Sequence, residues 1–364
     1  MKLSFLHGAD LPTLFRLFGQ QRFRIDIRTL PVILLHFVLA VFNTLVSLPE
    51  RFLRYENDPV KPVFILGHWR SGTTHLHNLL AADRAYHTPN TFQIAFPHAF
   101  MYSEKWLAPI LSLAGPGVRP MDNMAMLMST PNEEEIGMAA LGAPSSYMAI
   151  HFPRNHEKYR TYLSFRDASE KDVKLWKKMY RNYLRKFVAK YGNDRPLLLK
   201  SPSNTARVPM LLEMYPDARF IHIQRNPYET IRSTLHLYDK WFEMANFQSL
   251  KALREGRDQY VLEVYEQMHR LWFEDRKLIP ENHLFTIRFE DLKKSPVQII
   301  NAIYQFLGDT ALDQKALDTY LDSIKSYSQN KFDPLSPEMI LEINQRMAFV
   351  FEELGYPMVD SSEI

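Results

Sequence analysis

The sequence predicts an α/β fold built on a parallel β-sheet. The main evidence is a set of short apolar runs, each long enough for a buried strand and each followed by a turn and a helical pattern. These runs lie at residues 63–66, 197–199, 219–224 and 283–288. With 364 residues, the chain can bury a full core, either as one large α/β domain or as one domain with helical additions.

The first apolar run leads into a loop bounded by glycines. Gly67 and Gly72 enclose the loop, and leucines recur at helical spacing from Thr73 onward. A strand, a glycine-bounded loop and a helix form a phosphate cradle, because the loop N–H groups and the helix N-terminus both favour an anion. The nucleoside triphosphatase motif G-x-x-x-x-G-K-[ST] fits this frame, except that Thr73 replaces its lysine. Arg70 supplies a cation within the loop, so the pattern predicts binding of a phosphate-like group without magnesium-triphosphate chemistry, rather than a turn that only precedes a core helix.

The segment FILGHWRSGTTHL at residues 64–76 resembles the 5′-phosphosulfate loop of sulfotransferases that use 3′-phosphoadenosine 5′-phosphosulfate (PAPS), and more narrowly a bacterial group of them. The resemblance extends over about residues 60–310. It implies a P-loop-like parallel sheet with helices on both faces and helical N- and C-terminal additions. Where the cytosolic branch has a lysine and an adenine-stacking tryptophan, this chain has Arg70 and His75. The PAPS-binding residues implied by this segment are Arg70, Ser71, Gly72, Thr73, Thr74 and His75.

A lysine follows the second apolar run. Lys200, Ser201 and Pro202 lie where open α/β sheets place their ligands, at the carboxyl ends of the strands. Related sulfotransferases carry the same Lys-Ser-Pro motif with a histidine two residues after the proline, and Asn204 stands at that position here. The resemblance therefore gives Lys200 a catalytic role as a cation and moves the proton-acceptor role to another residue.

The third apolar run is followed by Arg225, and a helix that begins at Pro227 carries Ser233. This pair resembles the family's 3′-phosphate motif, an arginine at a strand end with a serine eight residues later. A guanidinium forks onto a phosphate with two hydrogen bonds, and a hydroxyl adds another. The resemblance also implies that Lys331, in a C-terminal loop, reaches the phosphates of the nucleotide.

Three adjacent glutamates follow Thr130, Pro131 and an asparagine. One interpretation is a helix start, with Thr130 as the cap, Pro131 at the first helical position and the carboxylates in the first turn. The other is catalytic, because the bacterial group carries a Pro-x-Glu-(Asp/Glu)-Glu motif here, so that one glutamate is the general base. Glu133 is the first choice and Glu134 the second. Helical geometry turns the two about 100° apart, so they cannot share one role equally.

The reaction that the resemblance implies is transfer of a sulfuryl group from PAPS to an acceptor hydroxyl, with Arg70 and Lys200 as cations, Glu133 as the base and no metal. One alternative is a nucleotide kinase-like phosphotransferase, which would want a lysine in place of Thr73 and a carboxylate on magnesium. The other is a non-catalytic nucleotide-binding module, which would need neither Glu133 nor Lys200. Residues 235–256 are aromatic with few helix or strand signals, which predicts a mobile lid over the acceptor.

The composition excludes several classes of function. The net charge is only +3, so the overall charge of the protein does not indicate nucleic-acid binding. The chain contains no cysteine, which excludes disulfides and thiol catalysis and fits a reducing, cytoplasmic compartment. The identity of the acceptor and the oligomeric state stay open.

An almost wholly apolar stretch, Leu30–Leu48, follows a segment rich in arginine. It approaches the roughly 20 residues that a membrane span needs, but polar side chains interrupt it, and it lies too far along the chain for a simple cleaved signal peptide. Three interpretations remain: a buried core helix, a helix in the membrane interface, and a span. The interfacial one predicts peripheral contact through residues 11–48 at the inner face of the membrane, and a lipid or other amphiphilic alcohol as acceptor. We divide the chain into a helical segment at 1–58 and a sulfotransferase domain at 59–364.

Overall fold

The computed structural model describes residues 4–83, 85–113, 117–118, 125–308, 312–325 and 332–360. The chain forms two compact units whose segments alternate along the sequence. Unit 1 comprises Met1–Val60, His87–Leu199 and Lys240–Glu255. Unit 2 comprises Lys61–Tyr86, Lys200–Asp239 and Gly256–Ile364. The division at residue 58 that the sequence indicates stays a prediction.

The described residues include a four-stranded sheet. The strands, in chain order, are β1 (Val63–Leu66), β2 (Gly117–Val118), β3 (Ala125–Met126), β4 (Leu198–Lys200), β5 (Arg219–Gln224) and β6 (Leu284–Arg288). The order in the sheet is β4-β1-β5-β6, whereas β2 and β3 form a separate antiparallel pair. β5 runs parallel to both β1 and β6, with Leu66 opposite His222. Each apolar run therefore forms a strand, and the predicted α/β fold with a parallel sheet is confirmed.

Helices make up most of the remaining described chain. In chain order, the helices before β4 are α1 (Leu11–Gln20), α2 (Leu30–Ser47), α3 (Thr73–Ala81), α4 (Thr91–Ala95), α5 (Phe100–Ser112), α6 (Glu134–Ala140), α7 (Met148–His151), α8 (His156–Thr161) and α9 (Glu170–Tyr191). Of these, α3 belongs to unit 2 and the others to unit 1. The later helices are α10 (Val208–Met214), α11 (Pro227–Phe242), α12 (Lys251–Glu255), α13 (Arg257–Asp275), α14 (Phe289–Lys294), α15 (Pro296–Leu307), α16 (Gln314–Ser323) and α17 (Pro337–Leu354).

Several helix bounds follow directly from the residues at the ends. α15 and α17 each begin at a proline, and a glycine follows the last residue of each, which are common start and stop signals of helices. α9 begins after Ser169, whose hydroxyl accepts a hydrogen bond from the Asp172 N–H. The buried side of α9 carries Trp176, Tyr180 and Phe187, as its amphipathic pattern predicts.

The expectation of little helix at residues 235–256 is wrong, whereas a mobile lid over the acceptor stays a prediction. α11 extends through the first part of this segment, and α12 covers its end. Trp241, Phe242 and Phe247 are buried, and the ring of Phe247 lies 5.1 Å from that of Phe18 within unit 1. Burial of the aromatic side chains stabilises local structure that intrinsic propensity alone does not indicate.

Candidate active site

The loop between β1 and α3 has a backbone that depends on glycine. Gly67, Arg70 and Gly72 have positive φ values of 147°, 68° and 102°. A Cβ atom on Gly67 would lie 2.6 Å from the carbonyl oxygen of Ile223, and one on Gly72 would lie 2.3 Å from the ring of Phe289. Both positions therefore exclude a side chain. Because α3 begins directly after Gly72, the first N–H groups of the helix border the loop.

Gly72→Ala should destabilise the fold more than a left-handed backbone alone explains. We expect the free energy of unfolding to fall by about 3 kcal/mol or more, because the new methyl group must also displace the Phe289 ring. Gly308 is a matched control, since its φ is 81° but a Cβ atom added there would have no neighbouring atom within 4 Å. Gly308→Ala should cost only about 1 kcal/mol. Urea unfolding compares the two variants, and equal losses would rule out a role for the Phe289 contact.

Two arginines and a serine converge beside the loop in unit 2. The Nε atom of Arg70 donates a 2.9 Å hydrogen bond to the Ser233 hydroxyl on α11. The Nη1 atom of Arg225 donates a 3.0 Å hydrogen bond to the carbonyl oxygen of Arg70. Arg225 directly follows β5, which is parallel to β1. Because the carboxyl ends of parallel strands lie at the same edge of a sheet, Arg225 lies next to the loop that follows β1. The structure thus brings together residues that the sequence assigns to two different phosphate groups.

The surroundings of Arg225 combine an aromatic ring with charges of both signs. Its guanidinium carbon lies 4.7 Å from the centre of the Phe289 ring, and its Nη2 atom lies 3.5 Å from the Glu229 carboxylate. Burial lowers the pKa of Arg225, Glu229 opposes this shift, and the nearby charge of Arg70 adds to it. The proximity of two guanidinium groups favours binding of an anion at this position.

Lys200 lies at the end of β4 and is only 2% exposed. Its Nζ atom lies 3.3 Å from the Thr74 hydroxyl, in the first turn of α3. His77 lies on the same helix, and burial, aided by the Lys200 charge, lowers the pKa of His77 well below its usual value. Unit 2 therefore holds a buried ammonium group beside the helix that follows the loop.

The three glutamates belong to unit 1, and the helix they enter begins later than predicted. Pro131 is not the first helical position, because Glu133 is the N-cap residue and α6 starts after it. Thr130 and Asn132 form backbone hydrogen bonds with residues 89–91, which hold this segment in an extended conformation. This pairing delays the helix and leaves Glu133 at its entrance.

Burial distinguishes the glutamates. Glu133 is partly exposed, and its Oε2 atom accepts a 2.6 Å hydrogen bond from the Tyr147 hydroxyl. Glu134 and Glu135 are completely buried, and Glu134 accepts a 3.1 Å hydrogen bond from the Tyr180 hydroxyl. Glu133 is therefore the one of the three that a molecule in solution can reach.

Two hydroxyl groups at these sites have no signal in the sequence. Tyr147, which holds the glutamate at the α6 entrance, packs against the rings of Phe5 and Trp241 at 5.0 and 5.6 Å between centroids. The Thr205 hydroxyl accepts a 2.7 Å hydrogen bond from the Gly67 N–H and so supports the start of the loop. Neither residue belongs to a motif, and each partner is distant in sequence, so only the fold shows the pairings.

Three further residues were singled out by the sequence. His75 lies on α3, where burial lowers its pKa to about 4, so its imidazole is neutral at pH 7. Asn204 is completely buried in unit 2. Lys331 lies outside the described residues; the neighbouring Phe332 has its ring 5.0 Å from that of His236 on α11.

A cleft in unit 2 is lined by Ser71, Arg225 and three buried histidines. Burial lowers the pKa of His68 and His222 to about 3 and that of His269 to about 4. All three are therefore neutral in the folded protein, whereas an unfolded chain protonates histidine near pH 6.5. As pH falls, the unfolded state binds protons first, so their contribution to stability is complete above about pH 6.5 and is lost toward about pH 3 to 4.

His222→Gln should flatten this pH dependence. We expect the slope of unfolding free energy against pH, between about pH 6 and pH 4, to decrease by up to about 1.4 kcal/mol per pH unit. Urea unfolding at a series of pH values measures the slope. An unchanged slope would show that His222 does not stay neutral in the folded protein.

A comparison with known protein families gives the class of this protein. The model of the Sulfotransferase family matches residues 62–313, which is most of the chain. The chain belongs to this family, and the resemblance seen in its motifs is confirmed at that level.

Individual relatives come from mycobacteria. Omega-hydroxy-beta-dihydromenaquinone-9 sulfotransferase Stf3 of Mycobacterium bovis and of Mycobacterium tuberculosis are each 29% identical over 356 residues, which cover 96% of this chain and 90% of the relative. Among solved structures, sulfotransferase STF9 from Mycobacterium avium has a TM-score of 0.65 at 16% identity, covering 83% of this chain and 79% of the other. Sulfotransferase STF1 from Mycobacterium tuberculosis has a TM-score of 0.56 at 19% identity, covering 84% and 82%. These structures share the fold of this chain.

Proposed function

We propose that the protein transfers a sulfuryl group from PAPS to the hydroxyl group of an amphiphilic alcohol. The observation that carries this proposal is the convergence of Arg70, Ser233 and Arg225 at the glycine-bounded loop of unit 2. PAPS carries a phosphosulfate and a separate 3′-phosphate, and two guanidinium groups with a hydroxyl suit such a pair of anions. Membership of the sulfotransferase family supports the same reaction.

The proposed reaction is a single displacement at sulfur. The acceptor oxygen forms a bond to sulfur while the bond from sulfur to the bridging oxygen of the 5′-phosphate breaks. The bonding electrons leave with that oxygen, which gives a sulfate ester and adenosine 3′,5′-bisphosphate. Arg70 and Lys200 stabilise the charge on the leaving oxygen, and the loop N–H groups hold the phosphosulfate. No step uses a metal, so transfer should persist in the presence of EDTA.

We assign Glu133 as the general base that takes the proton of the acceptor hydroxyl. Its partial exposure supports this choice, because a general base must come within hydrogen-bond distance of the proton that it takes. The hydrogen bond from Tyr147 restricts the orientation of the carboxylate. Glu134 is a weaker candidate, since it is completely buried and bonded to Tyr180.

An amphiphilic acceptor is supported by the relatives. Two of them, similar over nearly the whole length of this chain, are named as sulfotransferases of omega-hydroxy-beta-dihydromenaquinone-9. That acceptor is a long apolar molecule with a hydroxyl group. We propose the same chemical class for this chain, an alcohol carried by a long apolar chain.

Titration with PAPS and ATP side by side, followed by a transfer assay with radiolabelled PAPS, tests the proposal. We expect preferential binding of PAPS and transfer of the label to a long-chain alcohol. Preference for ATP with phosphoryl transfer would indicate a kinase-like enzyme. Binding of PAPS without transfer to lipid, sterol, phenolic or sugar alcohols would indicate a nucleotide-binding module.

Arg225→Ala should weaken binding of PAPS more than binding of adenosine 5′-phosphosulfate, because only PAPS carries the 3′-phosphate. Loss of a charge-assisted contact costs about 1.5–3 kcal/mol, so we expect a roughly ten- to hundredfold weaker affinity for PAPS. Arg346→Ala is the control, since Arg346 lies in unit 2 but forms an ion pair with Glu266 at 3.0 Å. Calorimetry gives both affinities, and an equal loss for the two nucleotides would contradict the assignment of Arg225.

A further inference from the structure

α2 turns its polar side chains inward. Its buried residues recur at intervals of three and four positions: Ile33, His36, Ala40, Asn43 and Ser47. The amide nitrogen of Asn43 donates hydrogen bonds to the carbonyl oxygens of His7 and Ala9, at 2.7 and 3.0 Å. The Thr44 hydroxyl accepts a 2.9 Å hydrogen bond from the Leu11 N–H. These contacts join the C-terminal part of α2 to the segment at residues 7–11 of unit 1.

The opposite face of α2 is apolar and exposed. We name it the α2 apolar face, and its members are Leu34, Leu35, Val38, Val41, Phe42, Leu45 and Leu48. Their exposed fractions run from 38% to 67%. Ile27–Glu50 is also the one helical stretch, among the described residues, that is long and apolar enough to cross a membrane. Its mean hydropathy is 2.1, and only 22% of its most apolar part is buried.

Water disfavours this arrangement. A helix on the surface of a soluble protein packs its apolar stripe inward and presents its polar side chains to solvent, whereas α2 does the reverse. A large contiguous apolar patch on a protein surface marks contact with another protein or with a membrane. The α2 apolar face therefore requires an apolar partner.

Cationic side chains flank the α2 apolar face at both ends. Exposed arginines precede and follow the helix, at Arg22, Arg24, Arg28, Arg51 and Arg54, and Arg51 forms an ion pair with Asp10 at 2.8 Å. No charged residue occurs from Thr29 to Leu48. The nearest carboxylate after the helix, Glu50, is buried and paired with Lys186 at 2.7 Å. An apolar centre with cationic ends matches a bilayer that has acyl chains below anionic headgroups.

Aromatic side chains of α5 extend the same surface. Tyr102, Trp106 and Ile110 are spaced four residues apart and are 50% to 56% exposed. The Tyr102 N–H donates a 3.1 Å hydrogen bond to Glu50, so α5 lies beside the end of α2 within unit 1. Tyrosine and tryptophan accumulate at the headgroup level of membrane proteins. This composition favours a bilayer over a second protein as the partner.

We propose that unit 1 docks peripherally on an anionic lipid bilayer through the α2 apolar face, with the flanking arginines at the headgroups. The hydrogen bonds of Asn43 and Thr44 hold α2 against unit 1, so the helix lies in the membrane interface and does not cross the bilayer. This inference goes beyond the proposed function and does not depend on the nucleotide chemistry. Where both hold, docking brings the enzyme to the phase in which a long-chain alcohol dissolves.

Flotation of the full chain with lipid vesicles, without substrate, tests the proposal. The wild-type protein should float with vesicles of phosphatidylcholine and phosphatidylglycerol. A variant with Leu34→Glu, Val38→Glu and Leu45→Glu should lose about a hundredfold or more in vesicle partitioning, because three side chains no longer enter the acyl region. Leu341→Glu is the matched control, a 47% exposed leucine of α17 in unit 2, and should float like the wild type.

Removal of the cations gives a second, independent result. Changing Arg22, Arg24 and Arg28 together to glutamine should weaken partitioning roughly fivefold per arginine and abolish the preference over pure phosphatidylcholine vesicles. Circular dichroism and PAPS titration show whether each variant is folded, and Val38→Glu alone replaces the triple variant if that one does not fold. These vesicle results leave the proposal of sulfuryl transfer untouched.

Three outcomes would overturn docking on a bilayer. The first is that the wild-type protein binds neither kind of vesicle. The second is that folded variants of the α2 apolar face float as well as the wild type. The third outcome is a wild-type dimer, seen by size-exclusion chromatography with light scattering, that these variants dissociate while no vesicle binding occurs. That result would assign the face to a second copy of the chain.

Discussion

Replacing Glu133 by glutamine should lower kcat by about 10² to 10⁴ and leave the affinity for PAPS near that of the wild-type protein. The amide keeps the shape of the side chain and still contacts the Tyr147 hydroxyl, but it cannot take the proton of the acceptor. The residues that we expect to hold PAPS, Arg70 and Arg225, keep their contacts in unit 2. Steady-state kinetics and calorimetric titration with PAPS measure the two effects separately.

Glu134→Gln is the matched control, because it makes the same change one residue further along the chain. Glu134 is buried and bonded to Tyr180, so this variant should lose stability and keep most of its kcat. If Glu134→Gln lowers kcat and Glu133→Gln does not, the base is Glu134. If neither does, the assignment to this glutamate cluster fails, and His98, His151 or an acceptor that arrives ionised would take its place. Burial lowers the pKa of His151 to about 3, which makes that histidine a poor base near neutral pH.

Local sequence signals were sufficient for the elements that form the sheet. β1 and β5 have the bounds expected from the sequence, because a short stretch rich in apolar residues leaves little choice of position for a buried strand. The glycine-bounded loop was equally predictable, since Gly67 and Gly72 serve steric needs within one short segment. The start of α6 was misplaced because backbone pairing with residues 89–91 competes with the helix that Pro131 favours.

Some contacts at the site join residues that are distant in the sequence, and no local sequence pattern predicts them. The support of Gly67 by Thr205 joins residues 138 positions apart. The bond between Glu133 and Tyr147 connects two segments that carry no shared motif. Long-range contacts of this kind depend on how the elements pack, and a single sequence does not record that packing.

The burial of individual α2 side chains was also not predictable from the sequence. In the sequence its polar residues count against a membrane span, because they interrupt an apolar run. In the structure His36, Asn43 and Ser47 are among the buried residues of α2. The Nδ1 atom of His36 and the Ser47 hydroxyl have hydrogen-bond partners within the helix, and the Asn43 amide nitrogen has partners in the segment at residues 7–9. The exposed face is therefore more apolar than the sequence as a whole indicates.

Lys200→Met should lower kcat by about 10² to 10³. Methionine fills a similar space in a site that is only 2% exposed, but it removes the ammonium group next to Thr74. In the proposed reaction negative charge grows on the bridging oxygen of PAPS as its bond to sulfur breaks. A cation at this position acts mainly on the transition state, so its loss should reduce kcat more than the affinity for PAPS.

The control for this variant is a second lysine, partly buried, that forms a structural ion pair. Lys186 lies in unit 1 and forms a 2.7 Å ion pair with Glu50. Lys186→Met leaves that carboxylate unpaired in a buried position, so it should lower the free energy of unfolding by about 3 kcal/mol or more and leave kcat of the folded enzyme unchanged. Single-turnover transfer at saturating PAPS separates the two lysines. A Lys200→Met enzyme that transfers at the wild-type rate, but binds PAPS more weakly, would contradict this role. Lys200 would then contact the nucleotide equally in the ground state and the transition state. Stabilisation of the leaving oxygen would depend on Arg70 and the loop N–H groups.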